Sequence, residues 1–454
     1  MAFVEHVAPD DRGPAEERPV RPPFSIRARI LTPLAGGGFS FLPDGLLEVG
    51  ETGTITRAEA WAVDTPMAAE ISPVLDLRPL VLLPGLIDLH AHLPQLPNAG
   101  LGAGLDLLTW LERYIFPLER GFDVATAERL APQAFGLLAA AGTTTAVLYG
   151  AVYEDSLDAC FAAAERHGIR AVIGKVMMDR LRYDPTVDDS EVLDLSLQQS
   201  QRLIERWHGR DDGRLQYAVT PRFAVSCSAD MLRQSAALAA ATGAYWQTHL
   251  AEDRDEIDEV ARLFPEAHDY VDVYDRAGGL GARTILAHAV HLSQREVERL
   301  AETGTRVAHC PSSNLFLASG AMPLARYLEA GIVIGLGSDV AAGPELSLFS
   351  VMRAGAYTQS GLRTMLGESR PPLKPLDWLR IGTIEGARAL GLEARIGSLE
   401  VGKEADFILV DPSATAPIEG QAMDEPSDIV SRLIYRNRPG MIRGGWVRGR
   451  RLAT

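Results

Sequence analysis

The sequence predicts an α/β protein: a (β/α)8 TIM-like barrel with a small β-sandwich built from both chain ends. Short runs rich in β-branched residues alternate with longer helical stretches from Leu83 to Gly337. This alternation favours parallel strands, and about eight strand–helix units is the number that closes a barrel. Strand-like segments with Gly-rich turns flank the region on both sides. They indicate a smaller β-domain to which both chain ends contribute.

Each predicted barrel strand is a short apolar run of the kind that becomes buried between helices. The predicted strands are Leu83–Leu89, Thr143–Tyr149, Ile169–Met177, Leu215–Thr220, Ala244–His249, Thr284–His288, Thr305–His309 and Ile332–Gly337. The predicted helices are Asp123–Ala141, Ser156–His167, Val192–Trp207, Ala229–Thr242, Asp253–Phe264, Ser293–Glu302 and Pro323–Ala330. Glycine often follows a helix, as at Gly168 and Gly243, where a left-handed residue ends the helix.

We expect four segments along the chain. Residues 1–23, rich in Pro, Arg and acidic residues, form a flexible tail; residues 24–82 and 397–454 form the two parts of the sandwich; residues 83–396 form the barrel. An open, doubly wound sheet is the alternative, although such sheets usually have fewer strands. The stretch 411–437 is not assigned to any element.

Composition and charge exclude several classes of protein. The chain has 454 residues, of which 46% are hydrophobic and 23% charged, enough for a sizeable core. A net charge of −16 argues against nucleic acid or an anionic membrane as partner. Three widely spaced cysteines, Cys160, Cys227 and Cys310, predict buried thiols rather than disulfides. No apolar run resembles a membrane span or signal peptide, so we expect a cytoplasmic protein.

Four histidines and an aspartate lie at predicted strand ends. His90 and His92 end the first apolar run, and residues two apart in a strand point the same way. His249 and His288 end the fifth and sixth strands, and Asp339 follows the eighth. Taken singly, each has a plain structural explanation, such as a core histidine or a turn aspartate. Because barrel strands end at one face, together they predict one divalent cation, most naturally zinc.

A further carboxylate follows one of these histidines. Glu252 lies three residues after His249, where it could move protons near a metal, or simply stabilise a helix N-terminus. With Asp339 it supplies the base and the acid that hydrolysis by a metal-bound water needs. No lysine stands at the end of the fourth strand, where Arg222 lies, and this favours one metal over two.

Four features of the chain resemble the amidohydrolase superfamily. They are the segment Pro84–His92, the later histidines, Gly337–Asp339, and Gly397–Asp406, which leads back into the sandwich. Further motifs are similar to the branch of that superfamily that deaminates guanine. These motifs are Leu93–Gln95, Pro97–Gly100, Trp110–Tyr114 with Phe116–Pro117, Thr220–Cys227, Gln247–Glu252 and His309–Asn314. The resemblance extends from about Phe24 to the C-terminus.

The resemblance implies a zinc-dependent enzyme that converts guanine to xanthine and ammonia, usually as a homodimer. His90, His92, His249, His288 and Asp339 would hold one zinc per subunit, and Glu252 would shuttle protons and contact the substrate. Three residues, Gln95, Arg222 and Phe223, would grip the purine; the O6 and N7 acceptors of guanine suit an arginine fork and an amide.

Two alternatives remain open. The first is a related aminohydrolase that acts on another N-heterocycle, such as 8-oxoguanine, a pterin or a triazine. The second is a non-catalytic barrel scaffold, although such relatives lose ligands and this chain keeps them. Two more histidines, His291 and His309, lie near the ligands in sequence. We expect one of them to support the site from behind, with His309 facing it.

Overall fold

Two hydrogen-bonded sheets organise the protein in a computed structural model, which describes residues 21–62, 74–184, 186–367, 371–418, 420 and 424–454. Residues 1–20 of the predicted tail lie outside the described residues. In chain order the strands are β1 (Phe24–Pro33), β2 (Phe39–Val49), β3 (Ile55–Ala60), β4 (Val74–Pro84), β5 (Leu86–His92), β6 (Thr143–Tyr149), β7 (Arg170–Gly174), β8 (Val176–Met177), β9 (Leu215–Pro221), β10 (Tyr245–Leu250), β11 (Thr284–His288), β12 (Arg306–His309), β13 (Ile334–Leu336), β14 (Phe407–Val410), β15 (Ile442–Val447) and β16 (Arg450–Arg451).

The barrel consists of β5, β6, β7, β9, β10, β11, β12 and β13, each parallel to its neighbours. It closes where Leu336 of β13 pairs with Asp88 of β5. The short β8 extends alongside β9. This closed barrel confirms the predicted fold class and excludes the open sheet. Because every strand runs in the same direction, all the carboxyl ends meet at one mouth.

Most of the helices lie between successive barrel strands, and the last four follow the final barrel strand, β13. The helices are α1 (Leu107–Trp110), α2 (Phe116–Arg120), α3 (Val124–Ala140), α4 (Glu154–His167), α5 (Val192–Trp207), α6 (Arg210–Gly213), α7 (Ala229–Thr242), α8 (Arg254–Leu263), α9 (Tyr270–Arg276), α10 (Gln294–Thr303), α11 (Pro311–Phe316), α12 (Leu324–Glu329), α13 (Leu348–Leu366), α14 (Pro375–Arg380), α15 (Gly386–Ala389) and α16 (Pro426–Tyr435). Ser228 and Ser293 begin α7 and α10 by accepting backbone N–H groups, and Gly168 ends α4 at φ 91°.

Shorter helical turns complete the chain. Leu93–Asn98, Ala224–Ser226 and Pro412–Thr415 are 3-10 helices, and Leu111–Ile115 and Ile381–Glu385 are π-helical. The stretch that the sequence left unassigned, 411–437, therefore contains one 3-10 turn and α16 among its described residues.

The second sheet joins the two chain ends, as predicted. Its order is β16-β15-β14-β4-β1-β2-β3, with β4 parallel to β1 and antiparallel to β14. It has its own apolar core, in which Phe407 and Trp446 stack with ring centroids 4.7 Å apart. The predicted boundaries of the four segments remain a prediction.

The two sheets meet at Gly85, which separates β4 from β5. A Cβ at this position would lie 2.0 Å from the Thr144 hydroxyl, so only glycine fits there. A second link is Arg170 at the start of β7, which is fully buried and pairs with Glu404 and Asp406 of the sandwich domain. These two links join the barrel to the sandwich sheet, one at β5 and the other at β7.

No helix in the described part of the chain is long and apolar enough to cross a membrane. The three cysteines, Cys160, Cys227 and Cys310, are free and buried. This agrees with the prediction of buried thiols.

Candidate active site

The four predicted histidines and the aspartate converge at the mouth of the barrel. His90 and His92 lie in the last three residues of β5, His249 is next to last in β10, and His288 ends β11. Asp339 follows β13 by three residues. His288 and Asp339 adopt left-handed backbone conformations, with φ of 72° and 49°. Such conformations are costly outside glycine and cluster at functional sites.

Short distances join the ring nitrogens and the carboxylate. His90 Nε2 lies 3.1 Å from Asp339 Oδ1, and His92 Nε2 lies 3.4 Å from the same oxygen. His249 Nε2 is 3.2 Å from His92 Nε2, and His288 Nε2 is 3.8 Å from Asp339 Oδ2. Two overlapping groups, His90 with His92 and His249, and His90 with His288 and Asp339, each have ligand atoms within 4.8 Å of one another. The two groups share His90, so the five side chains form one cluster.

Burial disfavours the charged form of His92, His249 and His288, and neutral imidazole is the form that binds metals. Desolvation lowers the pKa of His288 to about 3. It also lowers the pKa of His92 and takes that of His249 well below its ordinary value, with the neighbouring imidazoles adding to the effect. Desolvation opposes ionisation of Asp339, but His90 and the other histidines hold the pKa of its carboxyl well below the usual range. The cluster thus presents lone pairs and a negative charge.

The outer nitrogens of two histidines have fixed partners. His249 Nδ1 lies 2.6 Å from the carbonyl oxygen of Arg222, so Nδ1 carries the proton and Nε2 is left as a lone pair. His288 Nδ1 lies 3.0 Å from the side-chain nitrogen of Asn314, whose Oδ1 has no partner among the described residues. A metal on Nε2 requires a proton on Nδ1, which Oδ1 accepts when the amide turns over. Asn314 is therefore a positioning partner of His288.

The sequence analysis missed a buried carboxylate, Asp88, that contacts the backbone on which two cluster residues lie. Asp88 in β5 accepts hydrogen bonds from the backbone nitrogens of His90 and Ser338, over 3.2 and 2.9 Å, and from the Ser338 hydroxyl over 2.6 Å. Burial raises the pKa of Asp88 to about 6. These contacts tie the first strand to the loop that carries Asp339.

Glu252 lies inside the site, as its spacing from His249 predicts. Its Oε2 is 3.4 Å from His288 Nε2, and the Ser319 hydroxyl donates to its Oε1 over 3.3 Å. Burial, and then the charge of Asp339, raise the pKa of Glu252 well above the ordinary value for glutamate. A carboxyl group whose pKa is raised in this way is suited to act as a general acid.

A cavity adjoins the cluster and contains the predicted base-binding residues. Gln95, Arg222 and Phe223 line it together with Glu252 and four residues of the cluster, His92, His249, His288 and Asp339. All three are at least 96% buried. The aromatic ring of Phe223 lies 6.4 Å from the His249 ring, centroid to centroid. The structure thus brings every predicted site residue to one place, while their individual roles remain predictions.

Glu119 in α2 is a further buried residue that the sequence analysis did not single out. Its carboxylate forms an ion pair with Arg222 and accepts a 2.8 Å hydrogen bond from Nε2 of Gln95. Glu119 lies only two residues after the Phe116–Pro117 motif, which was the available signal. Trp110 and Leu107 of α1 also line the cavity.

The two additional histidines do not line this cavity. His291 Nε2 lies 2.7 Å from the carbonyl oxygen of Ser319, the residue whose hydroxyl donates to Glu252. His309 is 1% exposed, and burial lowers its pKa to about 4. Neither of its ring nitrogens has a partner among the described residues. The prediction that His309 faces the cavity is therefore not supported by the residues that line it.

A closed barrel whose strand ends gather imidazoles and carboxylates around one point defines a metal-dependent barrel hydrolase. The profile of the Amidohydrolase family matches residues 81–452. The chain belongs to this family, as its motifs predict.

Relatives of the chain carry a more specific description. The chain is 40% identical over 379 residues to a probable guanine deaminase of Deinococcus radiodurans, which covers 82% of this chain and 83% of the relative. It is 36% identical over 395 residues to the guanine deaminase of Escherichia coli, covering 87% of each. A solved guanine deaminase from C. acetobutylicum with guanine bound in the active site matches with a TM-score of 0.87 and 28% identity, covering 94% of this chain and 99% of that chain.

Proposed function

We propose that the protein catalyses the hydrolytic deamination of guanine to xanthine and ammonia. The observation that carries the proposal is the meeting of a five-donor cluster and Glu252 with a cavity lined by Gln95, Arg222 and Phe223. The relatives described as guanine deaminases support it, because they cover most of the chain.

The donor set fits zinc. Neutral imidazole nitrogens and a carboxylate oxygen are the ligands that zinc takes in hydrolytic sites. The Nε2 atoms of His90 and His288 are buried and have no hydrogen-bond partner among the described residues, which leaves them available to an ion. Zinc held by His90, His92, His249, His288 and Asp339 would acidify a water molecule and so supply a hydroxide nucleophile at neutral pH.

Two carboxylates then move the protons. Asp339 accepts a proton as the water oxygen bonds to C2 of guanine, and Glu252 donates its proton to N3 of the ring. Glu252 next takes the proton from Asp339 and passes it to the amino group on C2, so that the C2–N bond breaks and ammonia departs. The proton of the new C2 hydroxyl then moves to Glu252, which leaves the C2 carbonyl of xanthine and restores both carboxyl groups to their starting states. Water and guanine are consumed, and xanthine and ammonia are formed, with no other reactant.

The remaining cavity residues hold the base. The guanidinium of Arg222 can donate to the acceptor oxygen of guanine, and the amide of Gln95 can bind the neighbouring polar edge. Phe223 offers an aromatic ring against which a flat purine packs. These three residues are buried and would fix the base with its C2 toward the cluster.

Ammonia release from a panel of aminated heterocycles tests the proposal. We expect zinc-loaded protein to release ammonia and xanthine in equal amounts from guanine, and to do so faster than from 8-oxoguanine, a pterin or an aminated triazine. If one of the other compounds reacts faster than guanine, that compound is the preferred substrate and the proposal of guanine is wrong. If no compound releases ammonia, the chain is a non-catalytic scaffold and the proposal is wrong.

We also propose that the protein is cytoplasmic and forms a homodimer. The buried free thiols Cys160, Cys227 and Cys310 fit a reducing compartment such as the cytoplasm. A homodimer follows from the family resemblance alone, and the mass of the protein in solution tests it.

A further inference from the structure

Glu119 is a fully buried carboxylate that lies outside the metal cluster. It belongs to α2, a short helix rather than a barrel strand, and its side chain is 0% exposed. One oxygen pairs with the Arg222 guanidinium, and the other accepts from Nε2 of Gln95 over 2.8 Å. Phe116, one turn earlier in the same helix, packs under the Arg222 guanidinium at 5.3 Å. One helix thus contacts both Arg222 and Gln95.

The contact to Gln95 fixes which way its amide points. A glutamine side chain offers one donor group and one acceptor atom, on opposite sides of the amide carbon. Because Nε2 donates to Glu119, Oε1 must point the other way, and no described residue donates to it. Gln95 lines the cavity. The cavity therefore receives an acceptor from Gln95 and a donor from Arg222.

We propose that Glu119 sets this hydrogen-bond polarity and thereby makes the cavity selective for a base with a ring N–H beside a carbonyl oxygen. The N1–H and O6 atoms of guanine form such an edge: N1–H donates to Gln95 Oε1, and O6 accepts from Arg222. A base that presents a bare ring nitrogen in place of N1–H would set two acceptors against each other. The inference rests on the proposed function and adds to it a positioning residue and a substrate edge.

A purely structural role is the competing explanation. A buried carboxylate needs a partner, and Arg222 would provide one whatever the cavity binds. In that case, neutralising Glu119 would change stability and the amount of active enzyme but not the choice between substrates. The two explanations therefore differ in the ratio of the kcat/KM values for two substrates rather than in the rate with either one.

The comparison of guanine with 2-aminopurine measures that ratio. Both carry an amino group on C2, but 2-aminopurine lacks O6 and has an unprotonated N1. The ratio of the two kcat/KM values is independent of the fraction of folded enzyme. We expect zinc-loaded wild-type protein to favour guanine by about 100-fold or more, because a site that hydrogen-bonds one substrate leaves groups unpaired with the other.

Glu119→Gln is the principal variant because it keeps the shape of the side chain. Its amide can either donate to or accept from Gln95, so the Gln95 amide is free to turn. We expect the preference for guanine to fall about 10-fold or more, mainly through a higher KM for guanine, with kcat changed less. Glu119→Asp keeps the charge but is one methylene shorter, so it cannot hold Arg222 and Gln95 as Glu119 does. It should lose part of the preference for guanine, but less than Glu119→Gln.

Glu404→Gln is the matched control. Glu404 also pairs with a buried arginine, Arg170, but at the junction with the sandwich domain. We expect this variant to lose stability while its preference for guanine stays at the wild-type value.

Each outcome decides one question. Wild-type protein that releases no ammonia from guanine overturns the proposed function. Wild-type protein that acts on guanine while Glu119→Gln keeps the full preference overturns only the role of Glu119. Should Glu119→Gln yield no folded protein, Glu119→Asp decides: an intermediate loss of preference supports the inference, and an unchanged ratio together with lower stability refutes it.

Discussion

The backbone carbonyl of Arg222 holds Nδ1 of His249 at 2.6 Å, while the guanidinium of the same residue lines the base cavity. One residue therefore orients His249 through its main chain and lines the cavity with its side chain. Its backbone N–H donates to the carbonyl of Met177 over 3.0 Å, which fixes the main chain independently of the side chain. Substitutions at this position can separate the two roles.

Replacing Arg222 with alanine should abolish most guanine turnover and leave metal binding intact. We expect kcat/KM for guanine to fall by about 100-fold or more, since each hydrogen bond from a charged donor contributes about 1.5–3 kcal/mol. Zinc content, measured by atomic emission on the purified protein, should equal that of wild type because the carbonyl remains. Unchanged guanine kinetics would refute the assignment of Arg222 to the cavity.

The stability of this variant provides an internal control. Removing Arg222 leaves Glu119 buried without its ion-pair partner, which costs about 3–5 kcal/mol. The double variant Arg222→Ala with Glu119→Gln should recover much of that stability without recovering activity. Melting temperatures of the three proteins test this expectation.

Replacing Glu252 with glutamine removes the proposed proton carrier but preserves its shape. We expect kcat to fall by about 100- to 10,000-fold, the usual range for a lost general acid or base. Ammonia release in single-turnover and steady-state assays measures the change. Ser319→Ala, which removes only the 3.3 Å hydrogen bond to Glu252, should reduce kcat by less than about 10-fold. Similar kcat values for Glu252→Gln and wild type would exclude Glu252 as the proton carrier.

Replacing Asn314 with alanine should weaken metal binding rather than destroy the fold. Without the amide, His288 loses the group that fixes its outer nitrogen, and loss of such partners costs about 10- to 100-fold in metal affinity. Competition with a zinc chelator measures the affinity directly. Ser313→Ala is the matched control, because the Ser313 hydroxyl is buried and has no partner among the described residues. Equal affinities for Asn314→Ala and Ser313→Ala would contradict the prediction.

A buried lysine should make stability depend on pH. Lys175 is 0% exposed, its amine lies 3.3 Å from a backbone carbonyl, and burial lowers its pKa to about 7 from 10.5. The unfolded chain therefore binds the proton more tightly, so stability is lost as pH falls from about 10 to 7. The loss reaches about 3–5 kcal/mol and stays constant at lower pH.

Lys175→Met removes this titration. We expect the variant to melt at a higher temperature than wild type, with a larger gain at pH 7 than at pH 10. The exposed Lys374→Met serves as control and should shift melting equally at both values. A gain for Lys175→Met that is the same at pH 7 and pH 10 would refute the prediction.

The sequence predicted the barrel well because each strand and helix is marked by a hydrophobic pattern within its own residues. The strands Thr143–Tyr149 and Thr284–His288 and the helices Val192–Trp207 and Ala229–Thr242 begin and end where predicted. The first strand is the clearest error: the prediction Leu83–Leu89 spans a junction. Both β4 and β5 are buried there, so hydropathy alone shows no break at Gly85, and the histidines belong to the strand itself.

The convergence of the four histidines and Asp339 was predictable because barrel geometry gathers strand ends, whereas the residues that contact them from other segments follow no such rule. Asp88 lies inside an apolar run and becomes recognisable only when its contacts to Ser338 are seen. Glu119 reaches Arg222 across about a hundred residues of chain, from a helix whose Pro-Leu-Glu-Arg sequence is typical of a solvated surface. Only the folded arrangement of distant segments identifies such partners.

The placement of β4 between β1 and β14 has a consequence for biosynthesis. Ribosomes make β4 and the histidine strand that follows it early, but β14 emerges only after more than three hundred further residues. Until then the nascent polypeptide carries an open, apolar strand edge, a surface prone to aggregation. Shortening the polypeptide from its last residues, so that β14 is lost, should therefore leave this edge exposed and lower the solubility of the protein.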